Sequence, residues 1–198
     1  MQERIYNTSD VISFAKTTGR YGGLSNMAAG YPLFVNETNI PSVEVLYQMC
    51  KYPLMPEIQQ WIVDEGNPMA AKLKSREFQR FARQDWEQIK FRVMEWCIRL
   101  KLVQNWETFS KLLLSTGDKM IVEYSVKDGI WGAIPDGNGH LVGINAQGRI
   151  LMKLRQEIVE GNFHKDYLDA PAITGFLLYG KKISRVYTPE YYFEDFLV

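Results

Sequence analysis

The sequence predicts a helix-rich α+β domain with a small sheet. Three observations carry that prediction: a long apolar periodicity after Asp85, short helices marked by capping residues and prolines, and brief aromatic or β-branched runs between them. At 198 residues and 46% hydrophobic content, the chain is long enough for one sizeable core and short for two. Residues 1–160 therefore read as one catalytic domain, with 161–198 as a C-terminal extension packed on it.

Pro32–Ile40 reads as a strand pair or hairpin with a polar turn at Asn36–Asn39. A helix then starts at Pro41-Ser42. Ser42 is its N-cap, Leu46 and Met49/Cys50 follow at helical spacing, and Pro53 stops it, so it should run from Val43 to Cys50 or Lys51. A second helix is expected from Pro56 to Glu65, and Asn67-Pro68 opens a third through Lys72. With Asp85 as N-cap, Trp86, Ile89, Val93, Trp96/Cys97, Leu100 and Val103 recur every three or four residues, which describes a long amphipathic helix and the spine of the fold. Thr108 to Ser115 continues helically until Gly117. Met120–Tyr124 is a short strand, and Gly148–Val159 is a helix apolar at Ile150, Leu151, Leu154 and Ile158. Tyr167–Val198 reads as irregular with one or two strands, and the longest irregular stretches before it, Gly19–Ala29 and Ala133–Leu141, read as site loops.

Composition removes several function classes. Lys plus Arg and Asp plus Glu each number 23, so no global positive field concentrates nucleic acid and any polyanion contact must be local. Cys50 and Cys97 form neither a disulfide framework nor a zinc motif, which fits a reducing cytoplasm. The charged stretch Met1–Asn7 lacks the apolar run of a signal peptide, and no apolar stretch reaches bilayer length, so no membrane partner is expected. Gly22-Gly23 and Gly137-Asn138-Gly139 match no phosphate-loop or dinucleotide pattern. His140 and His164 stand apart, without the paired spacing of zinc ligands and without a nucleophile elbow.

What remains is carboxylates beside aromatics. Glu44 lies in the first turn of its helix, where acids also occur for stability alone. Tyr47 and Lys51 follow about one turn apart on the same face, so an acid, a ring and a cation line up there. Such a stripe can hold a charged planar ligand or can be a solvated ion pair beside a packed ring. A second cluster, Glu123 through Asp128 to Trp131-Gly132, offers acids and a large ring at a strand end; a turn Asp with a core Trp has the same spelling. Gly132 would let a ligand approach the backbone closely. Gly23, Ser25 and Asn26 form a flexible polar loop or an ordinary turn. Lys72, Lys74, Arg76, Arg80 and Arg83 make the one segment positive enough to meet phosphates, although such runs also mark solvated faces.

Read in order, these pieces resemble the NADAR (YbiA-like) family. The resemblance is carried by Gly23-Leu-Ser-Asn26, Pro41-Ser-Val-Glu44 with Tyr47-Gln48, Pro68-Met-Ala-Ala-Lys72, Trp86, Met94 to Lys101, Leu114 to Asp118, Ile121 to Glu123, Asp128 to Gly132, and Gly143-Ile-Asn145 through Gly148 to Met152. It covers about Tyr21 to Ile158 and implies a YbiA-like fold and enzymes that cleave N-glycosidic bonds of ribosylated, nucleotide-like substrates. One branch acts on phosphoribosyl intermediates of riboflavin synthesis; another removes ADP-ribose from guanine, including guanine in DNA, beside DNA ADP-ribosyltransferase toxins. Members resembling the riboflavin-side enzymes have His directly after the helix-start Glu, where this chain has Val45, and Met69–Ser75 looks like the toxin-linked members.

The expected partners are thus ADP-ribosylated guanine in DNA or a free ADP-ribosyl nucleotide, the ADP-ribose product, and a cognate toxin, with no metal or redox cofactor. Cleaving a base–ribose bond passes through an oxocarbenium-like state, so Glu44 is expected to activate water and stabilise the sugar cation, with Asp128 or Glu123 as the second carboxylate. Trp131, with Tyr47 or Trp86, would stack a base. Asn26 and Asn145 would bond base edges or ribose, and Lys51, Lys72 or Lys74 would pair with pyrophosphate. The riboflavin-side glycosidase, a non-catalytic ADP-ribose or NAD binder, and direct neutralisation of a toxin through the tail stay open at this point.

Overall fold

The computed structural model describes residues 2–188 and Tyr191. In chain order the strands and helices are β1 (Arg4–Asn7), β2 (Val11–Phe14), β3 (Leu33–Val35), β4 (Thr38–Ile40), α1 (Val43–Met49), α2 (Pro56–Asp64), α3 (Pro68–Glu77), α4 (Trp86–Gln104), α5 (Trp106–Leu114), β5 (Met120–Glu123), β6 (Ile134–Pro135), β7 (His140–Gly143), α6 (Ala146–Val159), β8 (Tyr167–Leu168), β9 (Leu177–Leu178), β10 (Lys181–Lys182) and β11 (Val186–Tyr187). Helices with several small sheets form, which is the expected α+β class. The chain divides into two discontinuous compact units, residues 2–28 with 107–163, and residues 29–106 with 164–188.

In the first unit, β7 pairs antiparallel with β1 on one side and β6 on the other, while β2 pairs in parallel with β5. Tyr6, Val122, Ala133 and Leu141 interlock as its small core, with Val11 packed against them. Helix α6 lies against β5. Its start is fixed by Asn145, a fully buried residue at φ 51°. The Asn145 side chain accepts from the Glu123 N–H at 3.0 Å and donates to the Ile121 carbonyl at 2.8 Å, so it completes backbone bonding of β5. Gly148 makes room for this, because a Cβ there would fall 2.1 Å from the Ile121 oxygen and 2.5 Å from Asn145 Nδ2.

The stretch Ala133–Leu141 is not simply a loop, since β6 and the start of β7 form a hairpin within it. Strands β1 and β2 are additions to the elements expected from the sequence. In β1 only Tyr6 turns inward, so no alternation is visible, and β2 finds its partner more than a hundred residues away.

In the second unit, the β3–β4 hairpin turns at Asn36 and Glu37, both with positive φ, which is the twist a two-residue hairpin turn requires. Ser42 caps α1 by accepting from the Val45 N–H at 3.3 Å, and all seven α1 residues are buried. Asn67 caps α3 by accepting from the Met69 and Ala70 N–H groups. Asp85 sits at the expected N-cap of α4 but makes no cap bond. Its carboxylate is instead held by Arg83 at 2.6 and 3.0 Å, a charge-assisted pair that outcompetes a neutral N–H donor. Helix α1 packs against α2, α3 and α4, which makes it the centre of this unit.

The C-terminal segment is tied into the same unit by buried amides and one indole. Gln59 bonds Met49 and Leu177 carbonyls and accepts from the Tyr179 N–H; Gln104 bonds both backbone groups of Phe34 and the Tyr187 carbonyl; Trp96 donates to the Asp169 carbonyl. In place of one or two strands, four two-residue strands pair as β8 with β11 and β9 with β10 among the described residues. The rest of the expected tail, residues 189, 190 and 192–198, lies outside the described residues.

Candidate active site

The α1 helix carries Glu44, Tyr47 and Gln48 and is followed by Lys51, so residues three and four apart come onto one face. Glu44 is only 5% exposed. The Gln48 side-chain amide donates to Glu44 Oε1 at 2.8 Å, and Lys72 Nζ of α3 stands 3.9 Å from the same oxygen. Lys72 is positioned by the α1–α3 contact, which the Tyr52 hydroxyl secures through Ser75 of α3.

The aromatic side of the site is Tyr47 against Trp86, with ring centroids 4.9 Å apart and planes tilted by 55°. Lys51 lies over both rings, and its backbone carbonyl accepts from the Arg83 N–H at 2.8 Å, which pins it to the start of α4. Burial pushes the Lys51 ammonium down to about 8; Glu44 opposes that shift, while Lys72 and Arg76 add to it. Burial first, and then the Glu44 charge, push the Tyr47 hydroxyl far above its ordinary value, so it stays protonated and is a permanent donor. Beneath them the Cys97 thiol is raised well above its usual value by burial and by its contact with Cys50, so both cysteines are buried free thiols.

Glu44, Tyr47, Lys51, Lys72 and Trp86 are therefore brought together, whereas Trp86 and Lys74 depart from the roles the sequence suggests. Trp86 is only 6% exposed and packs against Tyr47, so its expected use as an open stacking platform is corrected to a wall beneath Lys51. Lys74 is carried to another side of α3, because two residues of helix turn a side chain by about 200°. It pairs there with Glu77 at 3.1 Å and Glu65 at 3.8 Å, lining a separate cavity of about 470 Å³ with Trp61, Asp64 and Phe78. Nor is the basic run one surface: Arg83 is occupied by Asp85 and by the Thr174 and Gly175 carbonyls.

The remaining expected residues lie in the first unit. Asn26 donates to Gln147 Oε1 at 2.9 Å, and the Gln147 amide donates to the Leu24 carbonyl, so the loop around Gly23 and Ser25 is braced by α6. Ser25 Oγ accepts from the Met27 N–H. Asp128 Oδ1 accepts from the Ile130 and Trp131 N–H groups at 2.9 and 3.0 Å, which gives it a turn-forming role and sets the half-buried Trp131. The close approach expected at Gly132 is by the protein's own backbone: a Cβ there would lie 2.4 Å from the Glu123 carbonyl oxygen. Asn145 is likewise spent on β5, as is the Glu123 N–H. Gln48 enters the sequence reading only within the Tyr47-Gln48 motif and carries no expected role at the site. The signal was a Glu and a Gln four apart on a helix whose other side chains are apolar or aromatic.

The sequence profile of the NADAR domain family matches residues 13–159. The chain is 34% identical over 148 residues to N-glycosidase YbiA of Escherichia coli, covering 75% of this chain and 88% of that protein. It is 36% identical over 151 residues to riboflavin biosynthesis protein VVA0006 of Vibrio vulnificus, covering 75% of this chain but only 39% of that longer protein. The solved NMR structure of E. coli YbiA superposes with a TM-score of 0.65 at 32% identity, covering 78% of this chain and 89% of the other. The match over most of the chain, in sequence and in fold, places this protein in the NADAR domain family.

Proposed function

We propose that this protein is an N-glycosidase that removes ADP-ribose from guanine bases in DNA, acting as the antitoxin to a DNA ADP-ribosyltransferase. The observation that carries the hydrolase reading is Glu44, a nearly buried carboxylate fixed by Gln48 at 2.8 Å, with Lys72 at 3.9 Å and the Lys51 ammonium over the Tyr47–Trp86 pair. A carboxylate so placed can take a proton from water as the water attacks the anomeric carbon, and its charge stabilises the oxocarbenium-like state. Water's hydroxyl ends on the sugar, and a proton ends on the departing base nitrogen. Lys72, its side chain 32% exposed, and the half-buried Lys51 supply positive charge for a phosphate attached to the sugar.

The guanine–ADP-ribose reading is supported by Val45 next to Glu44, which is fully buried in α1 and leaves no imidazole beside the carboxylate. A second reading is favoured by the names of relatives, among them a riboflavin biosynthesis protein: cleavage of phosphoribosyl intermediates of that kind. Both substrates present a phosphorylated ribose to the same carboxylate.

The deciding experiment incubates wild type and Glu44→Gln with guanine-ADP-ribosylated oligonucleotide and, separately, with phosphoribosyl pyrimidine intermediates. Products are read by mass spectrometry. Release of ADP-ribose by wild type, abolished in a normally folded Glu44→Gln, is the expected result. Turnover of the pyrimidine alone would transfer the assignment to the second reading, and binding of ADP-ribose without turnover of either would make the protein a reader.

A further inference from the structure

Gln48 sits one helical turn after Glu44 and is 2% exposed. Its Nε2 donates to Glu44 Oε1 at 2.8 Å, whereas its Oε1 is buried with no hydrogen-bond partner among the described residues. The orientation of an amide is fixed by its network rather than by its shape. Here the flipped amide would set an oxygen against a carboxylate, acceptor to acceptor, so the donor must face Glu44.

The arrangement is poor for folding. Every other α1 side chain is buried, so a Met or Leu at 48 would fill similar space without leaving an acceptor dry and unpaired. What the amide supplies is direction. Lys72 stands 3.9 Å from the same Glu44 oxygen, too far for a hydrogen bond, and gives charge without setting the rotation of the carboxylate. A Glu side chain has three rotatable bonds, and reaction demands one of its orientations.

We infer that Gln48 is a positioning residue that fixes the Glu44 carboxylate for reaction, and that the protein keeps it at the expense of stability. The inference rests on the reading of Glu44 as the reacting carboxylate.

The test uses the full chain with Gln48→Met and, in case Met packs badly, Gln48→Leu. Two quantities are measured: thermal melting, and steady-state turnover of whichever glycosidic substrate the wild type cleaves. The melting temperature is expected to rise by about 2–5 °C, because the unpaired acceptor is gone. kcat should fall about 10- to 100-fold with KM within about twofold of wild type. A merely structural Gln48 would leave kcat within about twofold of wild type. That result, or a lower melting temperature in both variants, overturns the inference. If wild type cleaves neither substrate, the hydrolase reading fails, while melting still decides whether Gln48 is kept at a stability cost.

Discussion

Lys51 Nζ lies 5.5 Å from the centroid of the Trp86 ring and 5.9 Å from that of Tyr47, so the ammonium rests on two buried aromatic faces with Glu44 one further turn back along α1. The rings and the surrounding burial keep it dry, which is why its charge is lost near pH 8 instead of near 10.4. An anion held by Lys51 is therefore released as pH rises. KM for a phosphorylated substrate should climb by up to about tenfold per pH unit above 8, with kcat changing less. In Lys51→Arg the guanidinium stays charged throughout, and the rise should flatten. Steady-state kinetics from pH 6.5 to 9.5 on both proteins provide the check; parallel profiles would remove Lys51 from anion binding.

Asp128 offers a contrast between a carboxylate used for charge and one used for shape. One oxygen already accepts two backbone N–H bonds, and its own N–H reaches Ser125 Oγ at 2.9 Å. An Asn side chain keeps that acceptor. Asp128→Asn should therefore retain stability to within about 0.5 kcal/mol and most of the turnover, whereas Asp128→Ala should cost about 1–2 kcal/mol. Chemical denaturation with turnover assays separates the two cases: loss of turnover in a stable Asp128→Asn would make the carboxylate charge catalytic.

The first turn of α6 should tolerate nothing larger than glycine at 148. A Cβ there would lie 2.1 Å from the Ile121 carbonyl oxygen, against backbone that cannot yield without breaking the Asn145 bonds to β5. Gly148→Ala should destabilise by about 2–3 kcal/mol or more. Gly129→Ala is the control, because its nearest neighbour is the flexible end of Ile134 at 3.6 Å. Its melting curve should overlay that of wild type.

These residues also mark how far the sequence could be read. Capping and turn chemistry is local, so Ser42, the Asn67-Pro68 helix start and a polar turn within Asn36–Asn39 are legible from neighbouring letters, the turn narrowing to Asn36 and Glu37 because Thr38 and Asn39 join β4, and the apolar repeat after Asp85 marks α4. Pairing is not local. β1 and β2 depend on partners in β7 and β5, and the Asn145 clamp needs a strand twenty-two residues upstream. In the site, Glu44, Tyr47, Lys51 and Lys72 follow from helical spacing plus one helix–helix contact. The run from Lys72 to Arg83 reads as one positive segment in the sequence, but a helix sends Lys72 and Lys74 to different sides, where they meet Glu44 and Glu77. Trp86 was expected to meet ligand because composition cannot say which aromatic faces are already covered.

Lys101 has no counterpart among those readings. It is 1% exposed, its ammonium lies 4.1 Å from the centroid of the Tyr31 ring, and burial brings it down to about 7. In the unfolded chain a lysine titrates near 10.4. Between those two values the unfolded state binds more protons than the folded one, so this group makes stability rise with pH across the window; below about 7 its full cost, on the order of a few kcal/mol, is present. Cys97 and Tyr47 are raised by burial and act in the opposite sense at higher pH, where the unfolded chain loses their protons first. The contribution of Lys101 is therefore read as the difference between wild type and Lys101→Met. Urea unfolding at pH 6.5, 7.5 and 8.5 should show the variant most favoured at 6.5, with its advantage shrinking by up to about 1.4 kcal/mol per pH unit. A difference constant across that range would mean the ammonium is fully compensated where it lies, by the Tyr31 face and its other contacts.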